Sequence, residues 1–134
     1  MVLVDTNVLL DVVTEDPRWA DWAQGQLEAA ALSKTLAINA VVYAELSVGF
    51  VAIEEVDAML REARIQIEAI PREALFLAGK AFLRYRSRGG VRTGVLPDFF
   101  IGAHAAVAGV PLLTRDSKRY ADYFPTLELL APGP

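Results

Sequence analysis

Four carboxylates occupy positions where a carboxylate is costly. Asp5 ends the apolar run Val2-Leu3-Val4, and Asp116 follows Leu112-Leu113-Thr114 by two positions. Asp98 opens the apolar segment FFIGAHAAVAGV. Glu45 is the only charge between Lys34 and Glu54. An ionised carboxylate in apolar surroundings is destabilising unless it is paired, hydrogen-bonded or bound to a metal. Four of them at one place cannot all stay ionised without cations. Oxygen donors of this kind suit a hard divalent ion, one or two in number. Such an ion activates water for in-line attack on a phosphate and stabilises the leaving oxygen.

Other catalytic inventories are absent. With no cysteine there is no thiolate nucleophile, thiolate zinc site or disulfide frame. A single histidine, His104, excludes HExxH, and no serine sits in a GxSxG turn. The nine glycines form neither GxGxxG nor GxxxxGK. Asp98 also suits the N-cap of its helix. Thr6, Asn7 and Thr114 flank the acids, where their oxygens can bond carboxylates or ion-held water, or serve as turn and cap residues. His104 lies six residues beyond Asp98, about 240° around a helix, so the expectation is a hydrogen-bonded structural histidine. Asp11 and Asp122 read as structural, and Trp19 and Trp22 share one helix face.

The elements that must position these residues follow from apolar runs and their punctuation. Strands are expected at 2–4, 35–38, 66–70, 112–114 and 127–130. Helices are expected at 7–13, from Asp16-Pro17 to about 32, at 40–50 after the cap Asn39, and at 54–63. Others follow at 72–87 behind Pro71, at 97–108 and at 117–123, with a glycine-rich loop at 88–96. Short apolar strands alternating with helices predict an α/β chain, three layers α/β/α around a parallel sheet of four to five strands. Ligands of such sheets bind at the carboxyl ends of the strands, where Asp5 and Asp116 both fall.

The 134 residues suit one domain, 1–134. Apolar residues make up 54%, which leaves hydrophobic surface for a homodimer or another partner. The longest uncharged stretch, Phe99 to Thr114, is interrupted by Pro111 and two glycines and falls short of the roughly 20 residues of a membrane helix. No basic leader precedes an apolar core, so a cytoplasmic chain is expected. The net charge of −4 argues against a general nucleic-acid coat. Within 80–94, however, Lys80, Arg84, Arg86, Arg88 and Arg92 stand without a single acid. They can steer a phosphate backbone or form a solvated face. Arg115, beside Asp116, is a further candidate for contact with a phosphate backbone.

The segments VLVDTNVLLD, AVVYAEL, LPDFFIGAHA and PLLTRDSKRY, in that order between Val2 and Leu130, closely resemble PIN domains, specifically the VapC-type toxins of toxin–antitoxin pairs. The resemblance implies strand order 3-2-1-4-5 and a single-strand RNA endonuclease dependent on Mg²⁺ or Mn²⁺, leaving 5′-phosphate and 3′-hydroxyl ends. It places the family's acids on Asp5, Glu45, Asp98 and Asp116, with Asp5, Asp98 and Asp116 mainly on metal and Glu45 toward the water or a second ion. Thr6 and Thr114 fall on its polar positions. It also implies a cognate antitoxin that covers the site. The alternatives are a PIN-fold nuclease of other specificity, for DNA or RNA processing, or an inactive PIN-fold binding module. A haloacid-dehalogenase-like phosphatase needs an aspartate where Asn7 stands, and a receiver domain needs an acceptor where Ile70-Pro71 stands.

Overall fold

The computed structural model describes residues 1–92 and 94–133. Thr93, inside the expected 88–96 loop, and Pro134 lie outside the described residues. Five strands form the sheet: β1 (Val2–Val4), β2 (Leu36–Ile38), β3 (Ile65–Ile67), β4 (Leu112–Leu113) and β5 (Leu129–Leu130). All pairings are parallel and the order is β3-β2-β1-β4-β5. Strand β1 is central and wholly apolar. Its three residues are fully buried, with Leu3 beside Ala37 on one flank and Leu112 on the other. The chain winds from β1 outward through β2 and β3, then returns to place β4 on the opposite flank. The gap above the carboxyl ends of β1 and β4 is therefore the topological switch point of this α/β/α fold. The bond from Asp5 N to Leu113 O, 2.9 Å, ties those two ends together.

The helices are α1 (Thr6–Val13), α2 (Ala20–Ala31), α3 (Ala40–Ser47), α4 (Ile53–Glu62), α5 (Arg72–Ser87), α6 (Leu96–Ala108) and α7 (Lys118–Tyr123). Helix α6 is the core helix, with Phe99 and Ile101 through Ala105 all buried. It packs on α5, whose buried face is the small-residue row Ala74, Ala78 and Ala81. Small side chains let the two axes approach closely. Gly102 does the same on another side of α6. A Cβ there would stand 2.6 Å from the Phe124 ring and 2.9 Å from the Tyr120 ring. Only glycine lets α7 come down onto α6 at this point. Gly109 ends α6 in the left-handed region, φ 67°, with Val110 N bonded back to Ala105 O.

Several boundaries differ from expectation. Helix α2 starts at Ala20, because Asp16 Oδ1 accepts from Arg18 N and Trp19 N and so holds 16–19 as a turn. Helix α3 stops at Ser47, whose hydroxyl bonds back to Tyr43 O at 2.7 Å. Edge strand β3 is shorter than 66–70 and starts one residue earlier, and β5 begins two residues later than expected. Thr114 leaves β4 because its side chain turns toward Asp5, although its N–H still bonds Leu130 O.

Candidate active site

Asp5 anchors the site from the end of β1. It is 4% exposed and caps α1. Its Oδ1 accepts from Thr6 N at 2.7 Å, and its Oδ2 accepts from Thr114 Oγ1 and Tyr120 Oη, both at 2.8 Å. Asn7 Nδ2 lies 3.3 Å from the same Oδ2. Burial nevertheless outweighs these bonds and, with the charge of Asp98, lifts the Asp5 carboxyl to about 6. The Tyr120 hydroxyl is pushed well above its ordinary range, by burial first and by the Asp5 charge next. It therefore stays protonated and donates.

Glu45 meets this centre through one hydroxyl. Thr6 Oγ1 donates to Glu45 Oε1 at 2.6 Å, and Thr6 itself follows Asp5. Glu45 is half-buried, and no cation among the described residues pairs with it. Asn39 fixes the helix that carries it. Its Oδ1 accepts from Val41 N and Val42 N, while its Nδ2 faces His104 Nδ1 at 3.2 Å. With the Asn39 amide donating, His104 is the tautomer protonated at Nε2. Burial lowers its pKa, partly offset by the Glu68 charge. This pair stitches α3, bearing Glu45, to α6, bearing Asp98.

Asp98 does not cap α6. The cap position is Val95, with no side-chain bond, and Asp98 Oδ2 instead accepts from Arg119 Nη1 at 2.6 Å. Burial raises the Asp98 carboxyl, Arg119 lowers it, and the charges of Glu45 and Asp116 raise it again. Asp98 thus feels both of these carboxylates. Asp116 is exposed, and its backbone N–H donates to Thr114 Oγ1 at 3.1 Å. Asn7 Oδ1 accepts from Arg115 N, which pins the β4–α7 turn to α1.

The structure thus brings Asp5, Glu45, Asp98 and Asp116 to the switch point, with Thr6, Asn7 and Thr114 between them. The donor set is oxygen throughout and suits a hard divalent ion. Among the described residues, no three acids enclose a common point tightly enough to cage an ion.

The expected arginines are placed differently from one another. Arg115 forms a two-pronged pair with Asp11, 2.7 and 3.1 Å, and lies 5.5 Å over the Trp19 ring. It braces α1, which also gives Asp11 its structural role. Arg84 Nη2 donates to Tyr123 O, and Arg88 lies over the Tyr123 ring. Arg86 lies over Phe82, and Arg92 N donates to Tyr85 Oη. Two site residues were not anticipated: Arg119 and Tyr120. Their signal is faint. Tyr120 is one of two tyrosines in a six-residue helix, and Arg119 is one of two adjacent cations, three residues past Asp116.

A parallel α/β sheet that gathers acids from four separate segments at its switch point places them where such sheets bind their ligands. Residues 2–123 match the model of the PIN domain, and the chain belongs to the PIN domain family, a family with nuclease chemistry. A search of curated proteins finds no match. Among solved structures the chain is similar to a toxin–antitoxin complex from Klebsiella pneumoniae, at 25% identity over 95% of each chain and TM-score 0.68. It is also similar to VapBC2 from Rickettsia felis bound to a promoter DNA fragment, at 24% identity, covering 99% of this chain and 100% of that one, TM-score 0.75. VapBC-1 from nontypeable Haemophilus influenzae matches at 17% identity over 98% of each chain, TM-score 0.71.

Proposed function

We propose that this chain is the toxin of a toxin–antitoxin pair, a single-strand RNA endonuclease that works with Mg²⁺ or Mn²⁺ and leaves 5′-phosphate and 3′-hydroxyl ends. The observation that carries the nuclease reading is the chain of contacts Glu45–Thr6–Asp5–Tyr120, with Asp98 and Asp116 beside it. Asp5, Asp98 and Asp116 would hold the ion, with Glu45 alongside. Such an ion supplies charge neutralisation and an activated water. The chain's own residues do the rest. Thr114 and Tyr120 hold Asp5 Oδ2 in one orientation. Thr6 holds Glu45 toward the centre, where its carboxylate can accept a proton from an attacking water. Arg119, already at Asp98, offers a guanidinium to a phosphate oxygen.

The toxin reading rests on the family and on the likeness to toxin–antitoxin complexes. A cognate antitoxin and a second copy are the partners it implies, in the cytoplasm. No helix among the described residues is long and apolar enough to cross a membrane. A cavity of about 450 Å³ lies away from the acids, between α1, α2, α4 and β3. Its apolar lining, including Leu9, Leu27, Met59 and Ile65, suits a protein segment and not the chemistry. Labelled single-stranded RNA and DNA, incubated with the chain and Mg²⁺ or with chelator, test the reading. RNA cut only with metal supports it; DNA cut in preference, or RNA cut equally in chelator, contradicts it.

A further inference from the structure

A second feature opens directly off the acids. A cleft of about 300 Å³ is lined by Tyr85, Asp116, Lys118, Arg119, Asp122 and Tyr123. Asp116 belongs to the carboxylate centre, and Arg119 holds Asp98, so one wall of the cleft is the centre itself. We propose that this cleft is a single-nucleotide subsite, with a base against Tyr85 and Tyr123 and its phosphate on Lys118 and Arg119. The inference rests on the RNA-cutting reading above and deepens it by assigning where a nucleotide next to the cut bond sits.

Size, aromatic lining and charge agree. The volume lies at the lower end of the roughly 300–1,000 Å³ of small-ligand clefts, room for one nucleotide and not for a folded strand. The Tyr85 ring is held in place by Phe82, Phe99 and Tyr123, at centroid distances of 6.1, 5.8 and 6.3 Å. It also leans on Gly90, where a Cβ would stand 2.4 Å from the ring. With Phe82 stacked on the ring and Gly90 against it, Tyr85 offers the cleft its edge, a preformed wall that loses little freedom when a base packs beside it. Lys118 is exposed and makes no ion pair among the described residues. At the rim, Arg88 lies 5.2 Å over Tyr123 and Arg84 bonds its carbonyl oxygen. Asp122 is the one lining acid outside the carboxylate centre, and these cations outnumber it. The cleft also gives the cationic segment 80–94 a place beside the acids, since Arg84 and Arg88 reach it through Tyr123.

The test uses adenosine 5′-monophosphate, with adenosine and inorganic phosphate as separate arms, titrated into the isotope-labelled chain and read by amide chemical shifts. The nucleotide is expected to shift amides at Tyr85 and residues 118–123 saturably, and more tightly than either fragment. Two substitutions on exposed residues then move affinity in opposite directions. Lys118→Glu should weaken the nucleotide by about tenfold, and Asp122→Lys should tighten it severalfold. Shifts confined to other surfaces, or affinity unchanged in both variants, overturn the subsite. An RNA-cutting chain with that outcome keeps the nuclease reading and loses the subsite. A nucleotide seated there in a chain that cuts no RNA retains the subsite and removes the nuclease reading.

Discussion

Asp5 accepts bonds from Thr6, Thr114 and Tyr120 in a pocket that leaves it 4% exposed. Asp98 and Asp116 stand differently, one held by a single guanidinium and the other open to water. The fold builds the first half of the centre. Backbone and side chains from β1, β4, α1 and α7 all converge on one carboxylate. The second half is set by charge and can rearrange when its counter-charge changes. A rigid half fixes where an ion sits, and a compliant half lets substrate oxygens enter. The two halves should therefore respond differently to substitution.

The largest effect is expected at Asp5. Asp5→Asn should reduce RNA cleavage by roughly 100-fold or more, measured on a labelled single strand with Mg²⁺. The same variant should melt higher than the parent without metal. Burial raises Asp5 to about 6, so the fold favours its protonated form. The associated stability is present below about pH 4 and is lost as pH rises to about 6. The metal-free difference between Asp5→Asn and the parent should therefore be near zero at pH 4. Above pH 6 it should approach about 3 kcal/mol. Denaturant titrations across that range decide it; a gap that does not change with pH contradicts the burial argument.

Gly102→Ala comes next and attacks the rigid half from behind. The new methyl meets the rings of Phe124 and Tyr120, so α7 must lift. Overpacking of this kind costs about 1–3 kcal/mol. Thermal denaturation should show the loss, and cleavage should fall along with it because Tyr120 is drawn off Asp5. Full activity in a destabilised variant would separate α7 from the site.

Arg119→Gln probes the compliant half. The pair with Asp98 is partly exposed, so its loss should lower metal-free stability by no more than about 1 kcal/mol. Removing the competing cation should tighten Mn²⁺ binding severalfold. Unchanged affinity in a titration would show that Arg119 does not compete. Tyr120→Phe is the smallest change. It removes one donor from Asp5 and should cost about 1 kcal/mol or less of metal-free stability, read in the same melts. A cost equal to that of Gly102→Ala would place the hydroxyl above the packing.

The difference between the halves also explains what the sequence discloses. Val2-Leu3-Val4 and Leu112-Leu113 are legible as buried strands because nothing polar interrupts them, and Asn39 is legible as a cap. Asp5 and Glu45 stand out by their isolation among apolar residues. Asp98 reads equally well as a cap, because the Arg119 that claims it lies 21 residues away. The contact of Tyr120 with Asp5 spans 115 positions, and no local period encodes it. The role of Gly102 depends on a helix that arrives only after β4. Edge strands β3 and β5 lose residues at their ends because half their surroundings are solvent. Arg115 has the composition of a phosphate binder, yet Asp11 and Trp19 claim it first.

Calorimetric titration of Mn²⁺ into the purified chain and into Asp5→Asn addresses the central claim most directly. Saturable uptake of one or two ions by the parent, lost in the variant, is the expected result. Equal uptake by both, or none by the parent, would show that the switch-point acids are not a metal centre.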